Sequence, residues 1–190
     1  NIDTIFFRDR RVRRAMSYTF NHDEMLEELC YSLYDPCTGI FHPGAWMAST
    51  KKFKPYKQDL DKAEALLDES GWVDSNNDGI RDKEIDGRTV PFEFSILVNQ
   101  QPLRIAICTL LKENLDQIGI RLNVRPVEST VLQDLTLNRK FQAYLGGWGS
   151  GTDPDTSENL WKTGAMRNFC NYSNPEVDRL YAEGRQEFDK

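Results

Sequence analysis

The strongest constraint in this 190-residue sequence is a change of apolar period within its central third. Five consecutive segments alternate between period two, which indicates a strand, and a period near 3.6, which indicates a helix. These segments are residues 90–98, 103–118, 120–124, 130–138 and 141–145. Parallel strands need crossovers of about a dozen residues, and the two helical segments supply them. The sequence therefore predicts an α/β fold with a β-α-β-α-β core.

Additional helices are predicted before and after this core. Five of the predicted helices, including the one over 130–138, begin at a residue whose side chain can accept a hydrogen bond from the first turn. The predicted caps are Asp9, Asn21, Asp61, Thr130 and Asn174. On the last helix, Phe188 is predicted to share an apolar stripe with Leu180. Residues 34–56 are rich in Pro, Gly and aromatic residues and predict an irregular segment, and residues 74–87 predict a polar loop.

The charge and composition exclude several classes of protein. The net charge of −6 argues against a nucleic-acid partner, and the basic cluster at residues 8–14 is interpreted as a solvated helix face. No apolar run approaches the ~20 residues of a membrane span. The chain begins with Asn1 and shows no signal-peptide pattern. Both ends are expected to be cuts within a longer protein.

Motifs for catalysis are missing from the sequence. It contains no GxSxG, no HExxH and no P-loop, and its two histidines stand in no metal-ligand spacing. We therefore expect no enzyme activity and no cofactor. Of the four cysteines, Cys108 fits a core position on a helix, and no role is predicted for Cys170. Cys30 and Cys37 are close enough to pair in an oxidising compartment.

A glycine-rich run at residues 146–151 follows the third predicted strand. It lacks the third glycine of GxGxxG, and the carboxylates that follow, Asp153 and Asp155, would repel a phosphate. In α/β sheets, ligands bind beyond the carboxyl ends of the strands. Trp148 is therefore either an apolar wall for a ligand or a core residue, and the sequence is equally compatible with both interpretations.

The polar loop contains a partial calcium motif. Asp74, Asn76, Asp78 and Asp82 stand at positions one, three, five and nine of an EF-hand-like loop. Position twelve is Ile85, where an EF-hand has a bidentate glutamate. The loop is expected to be an Asx-rich turn rather than a metal site.

Read in order, four stretches resemble the family 5 extracellular solute-binding proteins, which bind dipeptides, oligopeptides or nickel. They are residues 7–24, 59–80, 115–124 (LDQIGIRLNV) and 141–180. Their order and spacing span nearly the whole chain. The resemblance implies one lobe of a periplasmic-binding-protein type II fold. Residues 1–190 are then the C-terminal lobe of a bilobed protein, without its N-terminal lobe and its last segment.

The resemblance implies capture of a peptide or similar small solute for an ABC permease in the membrane. The protein is then a monomer in the periplasm or outside the cell, and the resemblance is compatible with a free or a membrane-anchored form. The ligand-binding residues expected by this resemblance are Trp148, Gly149, Ser150, Asp153 and Trp161. The competing hypotheses are a nucleotide-using enzyme domain and a calcium-stabilised interaction module.

One position departs from the family pattern. Peptide binders of the family have an aspartate three residues after the tryptophan, where it pairs with the peptide's ammonium group. This sequence has Gly151 there. Either Asp153 takes over the role, or the ligand has no free α-amine.

Overall fold

The structure is a computed structural model that describes residues 1–49, 53–149 and 151–187. Its strands are β1 (Asp82–Ile85), β2 (Arg88–Pro91), β3 (Glu93–Asn99), β4 (Arg121–Val127) and β5 (Ala143–Tyr144). Its helices are α1 (Arg10–Thr19), α2 (His22–Glu24), α3 (Leu60–Glu69), α4 (Pro102–Asp116), α5 (Ser129–Leu137), α6 (Glu158–Trp161) and α7 (Pro175–Gly184). A π turn, Met25–Leu29, extends α2, and a 3-10 turn, Pro154–Ser157, precedes α6.

A parallel three-stranded sheet forms the centre of the fold. Its strand order is β4-β3-β5, and the register of β3 with β4 runs from Glu93 opposite Arg121 to Asn99 opposite Val127. The third strand is shorter than predicted, because only Ala143 and Tyr144 pair with β3. Helices α4 and α5 are the two crossovers. The predicted β-α-β-α-β order is confirmed.

An aromatic cluster holds the N-terminal helices against the sheet. The Phe92 ring lies 4.4 Å from Trp72 and 5.2 Å from Phe6, centroid to centroid. On α1, Val12 and Ala15 are fully buried. Aromatic pairs in this distance range stabilise a core beyond the area they bury.

The polar loop predicted over residues 74–87 is wrong in its last third. Residues 82–85 form β1, which pairs with β2 as an antiparallel hairpin. Asp86 and Gly87 form its turn, both with positive φ (51° and 73°). The single strand predicted over 90–98 is accordingly two strands, because Val90 pairs in the hairpin and β3 begins only after Phe92.

Most of the predicted caps are confirmed, and two are wrong. Asp9, Asn21 and Asn174 each accept a hydrogen bond from a backbone amide in the first turn. Helix α3 begins earlier than predicted, because Asp59 rather than Asp61 accepts from the Lys62 amide at 3.0 Å. Helix α5 follows Glu128, which gives no side-chain cap, so Thr130 is inside the helix.

The last helix and the cysteines differ in how well they match the prediction. Leu180 is exposed on α7, contrary to the predicted apolar stripe, and Phe188 lies outside the described residues. Cys30 and Cys108 are buried, whereas Cys37 and Cys170 are exposed, and all four are free thiols. Among the described residues, no helix has the length and apolar character that crossing a membrane requires.

A buried arginine joins the loop, the helices and the sheet. Arg81 Nη1 donates to the Trp72 carbonyl at 2.8 Å, and Arg81 Nε donates to the Ile118 carbonyl at 2.8 Å. Its guanidinium also pairs with Asp68 and Glu64 of α3. Buried carbonyls need such donors, so Arg81 fixes the loop relative to the helix ends before β1 and β4.

Candidate functional site

An open cleft of about 1450 Å³ lies beyond the carboxyl ends of β3 and β5. Gln101 and Arg104 line it at the start of α4, directly after β3, and Gly146 and Gly147 line it directly after β5. The other wall comes from the described residues between positions 17 and 59. This position is where α/β sheets place their ligands.

The wall formed by these residues exposes many apolar side chains. Those that are both exposed and line the cleft are Tyr34, Ile40, Phe53 and Tyr56. Trp46 Nε1 donates to the Thr152 carbonyl at 3.1 Å, which ties this wall to the loop after β5. Apolar residues that remain exposed at a concave surface are typical of a binding site.

Two tyrosines line the part of the cleft nearest α1, and two cations lie beside the Tyr18 ring. The Tyr18 and Tyr56 rings meet edge to face at 4.8 Å, and Lys62 Nζ lies 4.5 Å from the Tyr18 ring centroid. A hydrogen bond from Lys62, and then one from Arg14, lowers the pKa of Tyr18. The phenol at this edge is thus held in a cationic environment.

Trp161 and Trp148, both predicted to contact the ligand, occupy different surroundings. Trp161 lines the cleft, and its ring lies 5.8 Å from that of Tyr172. Trp148 is half exposed, 5.7 Å from the Phe169 ring, with the Arg167 guanidinium 5.6 Å from its centroid. Trp148 is therefore not a core residue, but it is not among the described residues that line the cleft.

The remaining predicted contacts belong to the loop after Trp148. Asp153 accepts from the Asp155 amide at 2.9 Å and so caps the 3-10 turn. Gly149 is exposed, and Ser150 lies outside the described residues. Neither Gly149 nor Asp153 is among the described residues that line the cleft.

Arg104 is a cleft residue that the sequence did not single out. Its side chain is half-buried, and its Nη2 lies 3.2 Å from the point where a Cβ on Gly147 would stand. The sequence signal was an arginine two positions after Pro102, the residue that begins α4. This arginine could not be recognised as a cleft residue from the sequence, because only the fold brings α4 next to the Gly146–Gly147 backbone.

The partial calcium motif is folded as an Asx-rich turn. Asp74 accepts from the amides of Asp78 and Gly79, at 3.1 and 2.9 Å, and Asp78 accepts from Ile80 at 2.8 Å. Asp82 is buried and accepts from Ser75. In the described part of the chain, no three His, Cys, Asp or Glu side chains are grouped as metal ligands.

The nucleotide hypothesis requires a helix directly after Gly151, whose N-terminus would face the phosphates. The described chain instead continues into the 3-10 turn Pro154–Ser157 and the four-residue helix α6. This geometry offers no extended helix dipole to a phosphate at the glycine-rich run.

The fold and the open cleft define a lobe of a solute-binding protein. Residues 1–169 match the middle region of the bacterial extracellular solute-binding proteins of family 5, and the chain belongs to that family. The family consists of solute-binding proteins rather than enzymes. The fold class predicted from the sequence is confirmed.

Individual solute-binding proteins are similar to this chain, which agrees with its membership of the family. The oligopeptide-binding protein AppA of Bacillus subtilis is 28% identical over 97% of this chain and 34% of its own length. The nickel-binding periplasmic protein of Escherichia coli is 24% identical over 75% of the chain and 27% of its own length. The chain thus spans about a third of these relatives.

Solved structures match the fold over the whole chain. The complex of Bacillus subtilis AppA with a nonapeptide superposes with a TM-score of 0.91 at 26% identity, covering 100% of this chain and 38% of that one. NikZ from Campylobacter jejuni, in complex with Ni(L-His), gives 0.84 at 28% identity, with 100% and 38% coverage.

Proposed function

We propose that this chain is the C-terminal lobe of the solute-binding component of an ABC importer, and that it has no catalytic role. The observation that carries the proposal is the open cleft, which lies at the ligand position of an α/β sheet and is walled by exposed aromatic side chains. The solute is captured there and delivered to permease subunits in the membrane. The protein acts as a monomer in the periplasm or outside the cell.

The cleft needs a second lobe to enclose a ligand. Sites for small ligands bury about 70–90% of the ligand surface, whereas Tyr34, Phe53 and Tyr56 of this cleft are exposed. A bilobed protein that closes on its solute supplies the missing wall and couples affinity to closure. The length of the relatives, about three times this chain, leaves room for that lobe.

A peptide is the solute that we propose. Relatives from Bacillus and Lactococcus are named oligopeptide-binding proteins, and one solved relative holds a nonapeptide. A nickel complex is the second candidate, because two relatives are nickel-binding or hold Ni(L-His). The described residues of this lobe offer no group of three His, Cys, Asp or Glu side chains to such a complex.

Calorimetry on the protein encoded by the complete gene tests the proposal. Peptides of three to nine residues and Ni(L-His) are titrated into the wild type and into Trp161→Ala and Trp148→Ala variants. We expect peptide binding that each variant weakens by more than ~1 kcal/mol, because an aromatic wall supplies burial that nothing nearby replaces. Val131→Ala, an exposed truncation on α5 outside the cleft, is the matched control.

Different outcomes separate the parts of the proposal. Binding of Ni(L-His) alone would replace the peptide by the second candidate. Unchanged affinity in the Trp148→Ala variant alone would remove Trp148 from the site and keep Trp161. Sub-micromolar peptide binding by residues 1–190 alone would contradict the requirement for a second lobe.

A further inference from the structure

Trp148 lies at the edge of the cleft with little support from the backbone that carries it. It follows Gly147, which lines the cleft, and it precedes Gly149, where nothing lies within 4 Å of the point at which a Cβ would stand. Glycine leaves the backbone free to adopt many conformations. The orientation of the half-exposed indole is therefore set by contacts of the ring itself.

Two side chains from one turn lie against the Trp148 ring. The Phe169 ring is 5.7 Å away, centroid to centroid, and the Arg167 guanidinium carbon is 5.6 Å from the indole centroid. Phe169 is buried, and its ring lies 6.1 Å from that of Tyr144 in β5. A guanidinium at this distance is attracted electrostatically by the electron-rich face of an indole. The ring is thus held by one buried aromatic and one cation.

The turn that carries Arg167 and Phe169 is fixed by the side chain of Asn168 between them. Asn168 Nδ2 donates to the carbonyls of Lys162 and Tyr172, at 3.0 and 2.6 Å, and Asn168 Oδ1 accepts from the Tyr172 amide at 2.9 Å. Asn168 is only 2% exposed, and buried hydrogen bonds of this kind rigidify the backbone that they join. The turn is therefore a fixed platform for an indole whose own backbone is little constrained.

The Arg167 guanidinium is not engaged by the carboxylates that share a small surface pocket with it. These carboxylates are Asp155 and Glu158. Asp155 pairs with Arg185 at 2.9 Å, and Glu158 pairs with Arg185 as well. With the described residues, the Arg167 side chain makes no hydrogen bond or ion pair. The partner that the structure gives to this cation is the Trp148 ring.

We infer that Arg167 is a positioning residue of the binding site, which holds the Trp148 indole against Phe169 so that its exposed part meets the solute in one orientation. The inference rests on the proposed function, since it concerns an aromatic contact proposed for the same solute. Arg167 acts through Trp148 and does not itself touch the solute. A side chain that is ordered before binding loses less conformational freedom on binding, so the affinity is higher.

Fluorine NMR on the complete protein, labelled with 5-fluorotryptophan, tests the positioning in the absence of solute. Trp148→Phe identifies the Trp148 resonance. In Arg167→Met, which keeps a long side chain and removes the charge, this resonance should shift and broaden, while that of the buried Trp72 stays in place. Arg167→Lys keeps a cation and should return the Trp148 resonance part of the way.

Arg125→Met is the matched control for these variants. Arg125 is exposed on β4 and is not among the described residues that line the cleft. Its replacement should leave the Trp148 resonance and the peptide affinity unchanged. Arg167 is itself exposed, so that its variants are expected to fold, and thermal melting of each variant checks this.

A double-mutant cycle tests whether Arg167 acts through Trp148. The peptide of three to nine residues that the wild type binds best is titrated by calorimetry into Arg167→Met, Trp148→Ala and the double variant. Arg167→Met alone should weaken binding by about two- to fivefold. In the Trp148→Ala background it should have no further effect, because residues that act through one contact are not additive.

The outcomes separate this inference from the proposed function. A Trp148 resonance that does not move in Arg167→Met, or losses of Arg167→Met and Trp148→Ala that add in the double variant, overturns the positioning role and leaves the peptide-binding function standing. Unchanged affinity in Trp148→Ala does the same. A wild type that binds none of the peptides overturns peptide binding and this inference with it. A shifted resonance together with a non-additive loss supports the inference.

Discussion

The guanidinium of Arg104 and the backbone of Gly147 lie so close that a Cβ on the glycine would stand 3.2 Å from Arg104 Nη2. Gly147→Ala should therefore displace the guanidinium by a few tenths of an ångström. Because the contact is with the end of a flexible side chain, the free energy of unfolding should change by less than about 1 kcal/mol. Because Arg104 and Gly147 line the cleft, peptide affinity should fall several-fold, as calorimetry on the complete protein would show.

A control for this substitution is available in the same chain. Gly184 lies at the end of α7, with nothing within 4 Å of the Cβ that alanine would add. Gly184→Ala should leave peptide affinity unchanged. An unchanged affinity in Gly147→Ala as well would contradict a role in binding for the part of the cleft lined by Arg104 and Gly147.

Arg81 is predicted to be the most sensitive polar residue of the core. Arg81→Leu leaves the carbonyls of Trp72 and Ile118 without their donor, and each buried unsatisfied group costs about 1–3 kcal/mol. Urea denaturation of the chain should show a loss of about 3 kcal/mol. Arg121→Leu is the control, since its pair with Glu93 is exposed and contributes at most about 1 kcal/mol. Similar losses in both variants would show that Arg81 acts only as a surface charge.

Gly119 should tolerate alanine less well than Gly87, although both have a φ near 74°. At Gly87 nothing lies within 4 Å of an added Cβ, so alanine there costs only the left-handed conformation, about 1 kcal/mol. At Gly119 the same Cβ would stand 3.0 Å from the Gly79 carbonyl oxygen and 3.3 Å from Arg81 Cγ. Urea denaturation of both variants measures the loss in the free energy of unfolding, and the difference between the two losses is the steric contribution at Gly119. Equal losses would mean that the backbone around Gly79 moves without cost to accommodate the added Cβ.

The sequence predicted the elements whose signal lies within one segment. The periods along α4 and β4, and the caps Asp9 and Asn174, depend only on neighbouring residues, and the structure confirms them. The hairpin was missed because β1 carries the charged residues Asp82, Lys83 and Glu84, which conceal the period of a strand. Its turn dipeptide, Asp86-Gly87, was the signal that could have revealed it.

The site was less predictable than the fold, because its residues meet only through tertiary contacts. Arg104 and Gly147 are 43 positions apart, and no local pattern relates a helix start to a glycine pair (147 − 104 = 43). Likewise, Arg81 stands among loop residues in the sequence and is buried only because α3 and the end of α4 close over it. Trp161 lines the cleft, and the ligand-binding roles of Trp161, Trp148 and Asp153 all stay predictions.

The four cysteines should differ sharply in reactivity. Burial raises the pKa of the Cys108 thiol from 9.0 to about 11, whereas Cys37 is exposed. Alkylation at pH 8 followed by mass spectrometry should therefore label Cys37 rapidly and leave Cys108 unmodified in the folded chain. Labelling of both at the same rate would contradict the burial of Cys108.

The same shift gives the chain a defined alkaline sensitivity. Above pH 9 the unfolded chain loses the Cys108 proton while the folded chain keeps it, so the free energy of unfolding falls between about pH 9 and 11. Below pH 9 both states are protonated and this contribution is constant. Cys108→Ala should make denaturation less dependent on pH in that window, and an unchanged dependence would count against the shift.

Asp153 combines a structural role with the proposed recognition of an ammonium group, and two substitutions separate them. Its carboxylate caps the 3-10 turn by accepting from the Asp155 amide at 2.9 Å. Asparagine caps a helix about as well as aspartate, whereas alanine loses about 1 kcal/mol. Asp153→Asn therefore removes the charge and keeps the turn, and Asp153→Ala removes both.

If Asp153 binds an ammonium, Asp153→Asn should weaken peptides with a free α-amine and spare their N-acetylated forms, because only the former need a carboxylate partner. Asp153→Ala should weaken both kinds of peptide, since the turn that follows the glycine-rich run loses its cap. Calorimetry with the paired peptides on the complete protein measures both effects. Equal weakening of both peptides by Asp153→Asn, or none, would restrict Asp153 to its capping role and favour a solute without an α-amine.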